Sequence, residues 1–367
     1  MPCGWRRSLS HASWCSRISI QSGTVSTWKP KLGSCGRAKR LPLAMVYVSS
    51  SDFFTDSQQM IFSLSYLSVR VFPSLLIIVI VFGLRSVNAQ METGRSDSLL
   101  ECGAARQVVE VAAGAEIKLV SYNIRWRSGK ELEQIIRWLK DRRASTPMII
   151  GLQEVDRAKA RSGNLNHAKA IADALGMYYA WAAPATNLEQ KKADEEETGV
   201  EILSPYPLTD VARIVLPNAG PAGRQRVAVA ATIMIGSTAI RIYSVHSETR
   251  LTIAKKIEQL RAVLTDLDHL PRGTPVVVLG DFNTWELPAV EGIRKLFTEA
   301  GFTTPVPDDE STFYRKALMF DVKLKLDWIW LRGLTPKSYG IDRNLTVSDH
   351  FPLWTLATFS PRSTTSH

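Results

Sequence analysis

Cysteine is scarce in this sequence of 367 residues. Three of its four cysteines, Cys3, Cys15 and Cys35, lie in the N-terminal segment, and only Cys102 lies beyond it. Residues 103–367 therefore contain no internal disulfide and no cysteine-based zinc site. We expect the hydrophobic core alone to hold this part of the chain together.

Acidic residues are also scarce, but only near the N-terminus. Residues 1–90 contain 10 Lys and Arg against 2 Asp and Glu, whereas residues 91–367 contain 35 against 33. The formal net charge of +10 is thus +8 from the first segment and +2 from the rest. Because the larger part is nearly neutral, charge by itself does not indicate a nucleic-acid-binding protein.

The apolar run near the N-terminus is too short for a membrane span. The uncharged run 71–84 has 14 residues, fewer than the roughly 20 that a transmembrane helix needs. Arg70 precedes it, and Val87 and Ala89 occupy the small-residue positions of a cleavage site. We predict a signal peptide at 60–89, a secreted or periplasmic location, and no membrane span after processing. A retained membrane anchor is the alternative.

The segments outside the main domain carry little structural signal. Residues 1–59 are rich in Ser and Arg and lack periodicity. We interpret them as a targeting extension or as the product of an upstream start that is not used in the cell. We predict a linker at 90–115, a folded domain at 116–360 and a short tail at 361–367.

Within the predicted domain, short apolar runs alternate with helical patterns. Strand-like runs occur at 117–124, 148–155, 200–203, 227–235, 239–246, 276–282, 327–331 and 352–359, and helical patterns at 131–143, 166–175, 251–269 and 286–300. The hairpin-like succession from 227 to 246 indicates sheets that are not purely parallel. The sequence therefore predicts an α/β domain with a sizeable core.

Charged and polar residues within these patterns are expected at the surface. The acidic insertion at 186–199 predicts a solvated loop. The lysines and glutamates of the pattern 251–269 lie opposite its apolar stripe. His167 and His269 also fall in helical patterns, and we expect both on the surface.

Polar side chains end four of the strand-like runs. Asn123, Glu154 and His246 each follow one run, and Asp281 ends another, with Asn283 two residues later. Taken singly, each has an ordinary explanation as a turn former or a hydrogen-bonded strand end. Their recurrence at the same end of four runs predicts a shared rim.

Three further candidates stand at the opposite ends of their runs. Asp327 precedes "WIWL", and Asp349 and His350 precede "PLWTLATF". If these two strands run antiparallel to the other four, their starts lie on the same rim and all the polar groups converge on one cleft. The alternatives are a cap or salt bridge for Asp327 and a solvated turn for the Asp-His pair.

Seven motifs, in this order, resemble the endonuclease/exonuclease/phosphatase family, the deoxyribonuclease-I-like fold. They are "SYNIRW", "LQEVDR", "ILSPYPL", "YSVHS", "VVLGDFNTW", "KLDWIWL" and "SDHFPL". The resemblance covers about residues 116–360. It implies two packed mixed β-sheets flanked by helices, a four-layer α/β sandwich, and a Mg²⁺-dependent phosphoester hydrolase, with Mn²⁺ as the alternative ion.

The resemblance implies a metal site built from oxygen ligands. Mg²⁺ prefers hard oxygen donors and keeps several of its waters. Glu154 is the best-placed direct ligand, Asn123 can supply an amide oxygen, and Asp349 is a third candidate that can act through a water. The set contains no thiol, which argues against a structural zinc.

The resemblance also implies catalytic roles. His350 corresponds to a histidine that works with an acid at the position of Asp327, which fixes the ring tautomer and stabilises the imidazolium. His350 and Asp281 are both candidates for the general base, with Asn283 orienting substrate or nucleophile. His246 stands where several family members have a second histidine that donates to the phosphate.

The substrate is less defined than the chemistry. Arg125, Arg127, Arg224 and Arg226 are candidate phosphate contacts, and Glu248 is a candidate for orienting His246. The first hypothesis is a phosphodiesterase acting as a nuclease, and the second is a hydrolase of phospholipid headgroups or inositol phosphates. The third is a non-catalytic binding domain on the same scaffold, which the complete set of site residues argues against. The sequence makes no prediction of oligomeric state.

Overall fold

The computed structural model describes residues 99–108, 116–142, 146–185 and 197–359. They belong to one compact unit, Asn88–His367. The predicted extension 1–59, signal peptide 60–89 and tail 361–367 lie outside the described residues, as does most of the acidic insertion. Within the described part of the chain, no helix is long and apolar enough to cross a membrane.

Seven strands form the larger sheet. They are β1 (Leu100–Ala104), β2 (Glu116–Asn123), β3 (Met148–Arg157), β4 (Tyr178–Ala182), β5 (Glu197–Ser204), β13 (Thr335–Ile341) and β14 (Leu353–Thr358). Their order across the sheet is β1-β4-β5-β3-β2-β14-β13. β2 and β3 are parallel and the other neighbouring pairs are antiparallel. The sheet is therefore mixed, as the family resemblance implies.

Five strands form the smaller sheet, in the order β12-β9-β8-β7-β6. They are β6 (Leu208–Leu216), β7 (Arg226–Ile235), β8 (Thr238–His246), β9 (Val276–Asp281) and β12 (Asp327–Arg332). β8 and β9 are parallel and the other pairs antiparallel. A separate hairpin consists of β10 (Phe313–Ala317) and β11 (Phe320–Leu324). The helices are α1 (Gly129–Asp141), α2 (His167–Leu175), α3 (Ile253–Thr265) and α4 (Leu287–Glu299).

The two sheets pack face to face because their strands carry apolar side chains on both faces. On β9, Val277 and Leu279 lie in the core between the sheets, whereas Val276 and Val278 lie in the core under α3 and α4. A third core packs α1 and α2 on the outer face of the larger sheet. The layers run helices, sheet, sheet, helices, which confirms the predicted four-layer α/β sandwich.

The segment predicted to be a linker contributes a strand. β1 pairs antiparallel with β4, with Leu100 opposite Ala182. The carboxylate of Glu101 accepts hydrogen bonds from the Tyr179 hydroxyl (2.6 Å) and from Arg157 Nη1 (2.8 Å). The run "LECGA" is short and shows no apolar alternation, so its partner strand rather than its own pattern stabilises it. The linker prediction is wrong for these residues.

Two helical residues expected at the surface are buried. His167, at the start of α2, places its Nε2 3.0 Å from the Ser162 carbonyl oxygen, and Lys256 on α3 donates to the Asn283 carbonyl at 2.8 Å. The helical period marks where apolar side chains lie, but it carries no information about polar side chains whose partners lie on distant loops. His269 is exposed, as predicted.

Candidate active site

Three neighbouring strands of the smaller sheet bring three polar residues into one row. His246 at the end of β8 is opposite Asp281 at the end of β9, and Asp281 is opposite Asp327 at the start of β12. By the two-residue alternation of a strand, all three share the face of the residues that fill the core between the sheets. The row therefore lies between the sheets, where the sandwich ends.

The larger sheet adds Asn123, the last residue of β2. Its side-chain Nδ2 donates to Asp281 Oδ2 at 3.0 Å, so this hydrogen bond joins the two sheets across the site. Asp281 Oδ1 accepts the backbone N–H of Asn283 at 2.9 Å. All three residues are buried. The Asp281 carboxylate is thus the central acceptor of the site.

The Asp349–His350 segment, which lies just before β14, adds His350 to the row. His350 Nδ1 lies 2.9 Å from Asp327 Oδ2, and His350 Nε2 lies 3.7 Å from Asp281 Oδ2. The Ser348 hydroxyl holds this segment in place, because it donates to the Asn123 carbonyl at 2.8 Å and accepts the His350 N–H at 3.2 Å. His350 is buried, so the alternative interpretation of this pair as a solvated turn is wrong.

The buried charges set the protonation of His350 and Asp281. Burial alone would lower the pKa of His350, but the carboxylates of Asp327 and Asp281 outweigh it and raise the pKa to about 10. Burial raises the pKa of Asp281 to about 7; the nearby His350 charge opposes this rise and Asp327 adds to it. At neutral pH His350 therefore keeps its proton, and the Asp281 carboxylate is a stronger base than an ordinary aspartate.

A guanidinium group determines the tautomer of His246. Arg226 Nη1 lies 3.2 Å from His246 Nδ1. Since guanidinium nitrogens only donate, Nδ1 must accept, and the ring proton of the neutral imidazole lies on Nε2. His246 Nε2 is 3.5 Å from Asp281 Oδ2 and 3.9 Å from Glu154 Oε1. Burial, followed by the charges of Arg226 and His350, holds the pKa of His246 well below its usual range.

Glu248 anchors the two arginines beside His246. Its buried carboxylate accepts from Arg224 Nε at 2.8 Å and from Arg226 Nε at 3.1 Å. Burial alone would raise the pKa of Glu248, but the hydrogen bond from Arg224 and the charge of Arg226 outweigh it and lower the pKa to about 2. Glu248 therefore acts on His246 through Arg226 and not by direct contact, and the Arg224 side chain stays about half exposed.

Asn283 lies in the tight turn that follows Asp281. Its φ of 51° is in the left-handed region, which asparagine tolerates better than most residues. The Asn283 Nδ2 donates to the Ser247 carbonyl at 3.0 Å, and Lys256 Nζ donates to the Asn283 carbonyl. Gln259, which lies on α3 like Lys256, accepts the backbone N–H of Glu248 with its side-chain Oε1 at 2.9 Å. The sequence did not predict the roles of Lys256 and Gln259, because the spacing of apolar residues does not show which polar side chains make buried hydrogen bonds.

The oxygen donors near the row suit a hard divalent cation. Glu154 lies on a bulge of β3 with a φ of 58°, and its side chain is 23 % exposed. Among the described residues no hydrogen bond to its carboxylate is found, and His246 Nε2 lies 3.9 Å from its Oε1. Asn123 Oδ1 accepts one hydrogen bond, from the Arg125 N–H at 2.9 Å. This donor set fits Mg²⁺ by its chemistry.

Two further observations bear on the metal ligands. Asp349 Oδ2 forms an ion pair with Arg125 Nη1 at 2.7 Å, so a cation would have to share this carboxylate with a guanidinium. Ligand atoms of Asp281, Asp327 and His350 lie within 4.8 Å of one another, which is close enough to hold an ion. Because His350 is protonated and bonded to Asp327, this trio suits proton transfer better than coordination.

The comparisons with known proteins agree with this geometry. A profile of the endonuclease/exonuclease/phosphatase family matches residues 120–350. No curated protein matches the sequence. Among solved structures, the family protein from Leptotrichia buccalis is 19 % identical, with a TM-score of 0.52, over 66 % of this chain and 100 % of that chain.

Two further structures share the fold. The family protein from Beutenbergia cavernae is 16 % identical, with a TM-score of 0.55, over 67 % of this chain and 72 % of its own. The human nocturnin catalytic domain, solved with bound sulfate, is 20 % identical, with a TM-score of 0.51, over 69 % of this chain and 96 % of its own. With most of the described residues matched by the family profile, the chain belongs to the endonuclease/exonuclease/phosphatase family.

Proposed function

We propose that this chain is a divalent-metal-dependent phosphodiester hydrolase in which water attacks the phosphorus atom. The observation that carries the proposal is the buried row of His246, Asp281 and Asp327, with His350 bonded to Asp327. Hydrolysis of a phosphodiester needs a base for the water, donors to the phosphoryl oxygens and neutralisation of negative charge. The row supplies candidates for the base and for the donors.

The protonation of the row favours Asp281 as the base. Burial raises the pKa of Asp281 above that of an ordinary aspartate, so its carboxylate is better suited to accept a proton from water. His350, with its pKa raised to about 10, keeps its proton and suits a donor to a phosphoryl oxygen. His246 would donate a second hydrogen bond from Nε2. Of the two base candidates left open by the sequence, Asp281 is the one we propose.

Glu154 and Asn123 are the residues that we propose to hold the cation, Mg²⁺ by its preference for hard oxygen donors, with Mn²⁺ as the alternative. Bound there, the cation would neutralise charge on the phosphate and help to orient it. Asp349 is a weaker candidate than the sequence suggests, because Arg125 already occupies its carboxylate.

The substrate class stays open between nucleic acid and a phospholipid or inositol phosphate. Arg224 and Arg226 stay candidate phosphate contacts, although both donate to Glu248. Sulfate bound to the nocturnin catalytic domain resembles phosphate in shape, which supports a phosphoester substrate in general terms. A steep fall of activity with salt would favour nucleic acid, because phosphate contacts release counterions.

We also propose export to a secreted or periplasmic location. The support is the apolar run 71–84 with the residues of a cleavage site after it. Mass spectrometry of the protein recovered from its native host should find a mature N-terminus at Gln90. A protein that retains residues 60–89 would instead favour the membrane-anchor alternative.

The first test is metal-dependent turnover by the purified protein. It would be assayed with Mg²⁺ and with chelator on plasmid DNA, RNA, sphingomyelin, inositol phosphates and an aryl phosphodiester. We expect turnover of at least one substrate, lost on chelation. His350→Ala and Asp281→Ala should each lower it by about 10² to 10⁴. His269→Ala, which removes an exposed histidine, is the matched control and should leave the rate unchanged.

Two results would contradict the proposal. One is full activity of both site variants, which would place the chemistry elsewhere. The other is a folded wild-type protein that turns over none of these phosphoesters, which would favour the non-catalytic binding domain.

A further inference from the structure

The hairpin of β10 and β11 ends in three consecutive exposed apolar residues. Leu318, Met319 and Phe320 have 93 %, 88 % and 69 % of their surface exposed. Isolated exposed apolar side chains are ordinary on protein surfaces, but three in succession at a projecting tip are not. These three side chains contribute little buried surface to the fold.

The geometry of the turn does not explain these residues either. β10 and β11 pair from Phe313 opposite Leu324 to Ala317 opposite Phe320, which leaves a two-residue turn. Leu318 has a φ of 53°, a region that glycine or asparagine adopts more easily than leucine. The apolar side chains of the tip are therefore unfavourable in two ways: leucine is disfavoured at this positive φ, and apolar surface is exposed to water. Such strain at an exposed site points to a function.

Basic residues flank the apolar tip. Over residues 313–324 the hairpin contains Arg315, Lys316 and Lys323 against one acid, Asp321, a net charge of +2. All three basic residues are exposed. The Asp321 carboxylate accepts the Tyr314 hydroxyl at 2.9 Å. An apolar tip with cations behind it matches a phospholipid surface, whose acyl chains lie beneath a layer of headgroup phosphates.

The base of the hairpin is joined to the active site. The ring of Phe313 lies 5.1 Å, centroid to centroid, from the ring of His350. The Tyr314 N–H donates to the Asp349 carbonyl at 2.8 Å, and the Phe351 N–H donates to the Thr312 carbonyl at 2.7 Å. At about 3.3 Å per residue, a five-residue strand places the tip roughly 15 Å from this base.

A second exposed apolar pair lies close to the site residues. Trp285 and Leu287, two and four positions after Asn283, are 54 % and 66 % exposed. Tryptophan is favoured at the boundary between lipid and water because its indole is both apolar and a hydrogen-bond donor. Two chain segments that leave the active site therefore both present apolar side chains to solvent.

We propose that the hairpin 313–324 docks on the surface of a phospholipid bilayer, with Leu318, Met319 and Phe320 in the acyl region and the basic residues at the headgroup phosphates. Docking would hold the active site next to the phosphodiesters of membrane lipids. Membrane phospholipids are therefore the substrate class that the docking favours. The docking rests on exposed surface residues and is independent of the proposed function, whereas the lipid substrate also rests on the proposed function. A nucleic acid would use the cations and could stack a base on Phe320, but it would gain little from the aliphatic Leu318 and Met319.

Vesicle binding by the full-length protein tests the docking. The probe is sedimentation with vesicles of phosphatidylcholine and phosphatidylglycerol, compared with phosphatidylcholine alone. The variant Leu318→Gly/Met319→Asn removes two of the three apolar side chains of the tip and supplies residues favoured in a two-residue turn, so the hairpin should persist. We expect it to bind about tenfold more weakly than wild type. Since every variant keeps the same N-terminal segment, the difference reports on the hairpin.

Met234→Ser is the matched control. Met234 is 47 % exposed and lies beside the β7–β8 turn, at the opposite end of β8 from His246. It should bind vesicles like wild type. Arg315→Gln/Lys316→Gln should weaken binding about tenfold on the anionic vesicles and much less on phosphatidylcholine, because only the charge term is removed.

Turnover separates docking from chemistry. The tip variant should hydrolyse a soluble aryl phosphodiester at the wild-type rate but vesicle phospholipid about tenfold more slowly. Equal vesicle binding by wild type and the tip variant would overturn the docking. A wild-type dimer that the tip variant makes monomeric, without vesicle binding, would overturn it in favour of a second copy. Vesicle binding that depends on the tip, with no turnover of any phosphodiester, would support docking and refute the proposed function.

Discussion

At the scale of single residues, Arg226 determines which ring nitrogen of His246 carries the proton. Arg226 donates to Nδ1, and Glu248 holds the guanidinium in that position. The Nε2–H then faces the Asp281 and Glu154 carboxylates, where a phosphate oxygen would have to lie to accept it. In the proposed mechanism Arg226 would thus position His246 as a donor, a role additional to the phosphate contact that the sequence suggests.

Arg226→Met tests this positioning. Without the guanidinium, the proton of His246 is free to move to Nδ1, so we expect kcat to fall about 10- to 100-fold with little change in KM. ¹⁵N NMR of the His246 ring should show a shift from the Nε2–H tautomer. Arg224→Met is the control, because Arg224 shares Glu248 but leaves the Arg226 contact intact. Equal effects of the two variants would mean that local positive charge, and not the tautomer, matters.

At the scale of elements, the ends of β8 and β9 must approach closely for the row to form. Gly280 has a φ of 146°, and a Cβ added there would lie 2.0 Å from the Val245 carbonyl oxygen. No side chain fits at this point, directly before Asp281. α3 supports the same region from its buried face, where Lys256 and Gln259 hold the turns that carry Asn283 and Glu248.

Gly280→Ala should therefore destabilise the fold strongly. We expect the free energy of unfolding to fall by about 3 kcal/mol or more, since the added methyl meets backbone and the φ is unfavourable for alanine. Urea denaturation measures the change. Gly236→Ala, in the β7–β8 turn with a φ of 58° and open space around it, should cost about 1 kcal/mol. A similar loss in both variants would mean that the strands separate to accommodate the methyl group.

At the scale of the whole molecule, the apolar cores and the residues of the proposed chemistry lie in different parts. Three apolar cores hold the four layers together, while the candidate cation ligands lie where the sandwich ends. His350 also pairs with Asp327 and Arg226 with Glu248, so these two buried acids are balanced without a cation. The fold should consequently stand without metal, unlike a domain organised around a cysteine-bound zinc.

Metal removal tests this separation. On addition of chelator, we expect activity to be lost while the Tm changes by less than about 4 °C. A cation present at a few times its Kd stabilises the native state by only about 1 kcal/mol, and a domain of this size converts that into roughly 2–4 °C. Calorimetry with and without Mg²⁺ measures the shift. A drop of more than about 10 °C would instead make the cation a structural part of the fold.

Much of this fold and of its rim can be predicted from local patterns. Apolar runs and helical periods depend on neighbouring residues in the chain, so they predict the main strands, the four helices and the polar side chains at strand ends. Asn123, His246 and Asp281 could be assigned to a common rim for this reason. The edge strand β1 could not, because its stability comes from β4, 74 or more positions away in the chain.

The sequence by itself determined the α/β class, the order of the motifs and the polar ends of the strands, since these are local properties of chemistry and spacing, and the resemblance carried by the motifs implied the two-sheet layering. Only the tertiary structure decided which side chains touch: Asp327 on His350, Arg226 on His246 and Arg125 on Asp349. Such contacts depend on strand register and on burial, which set both distance and protonation. The distances between side chains and their protonation therefore cannot be predicted from the spacing of residues along the chain.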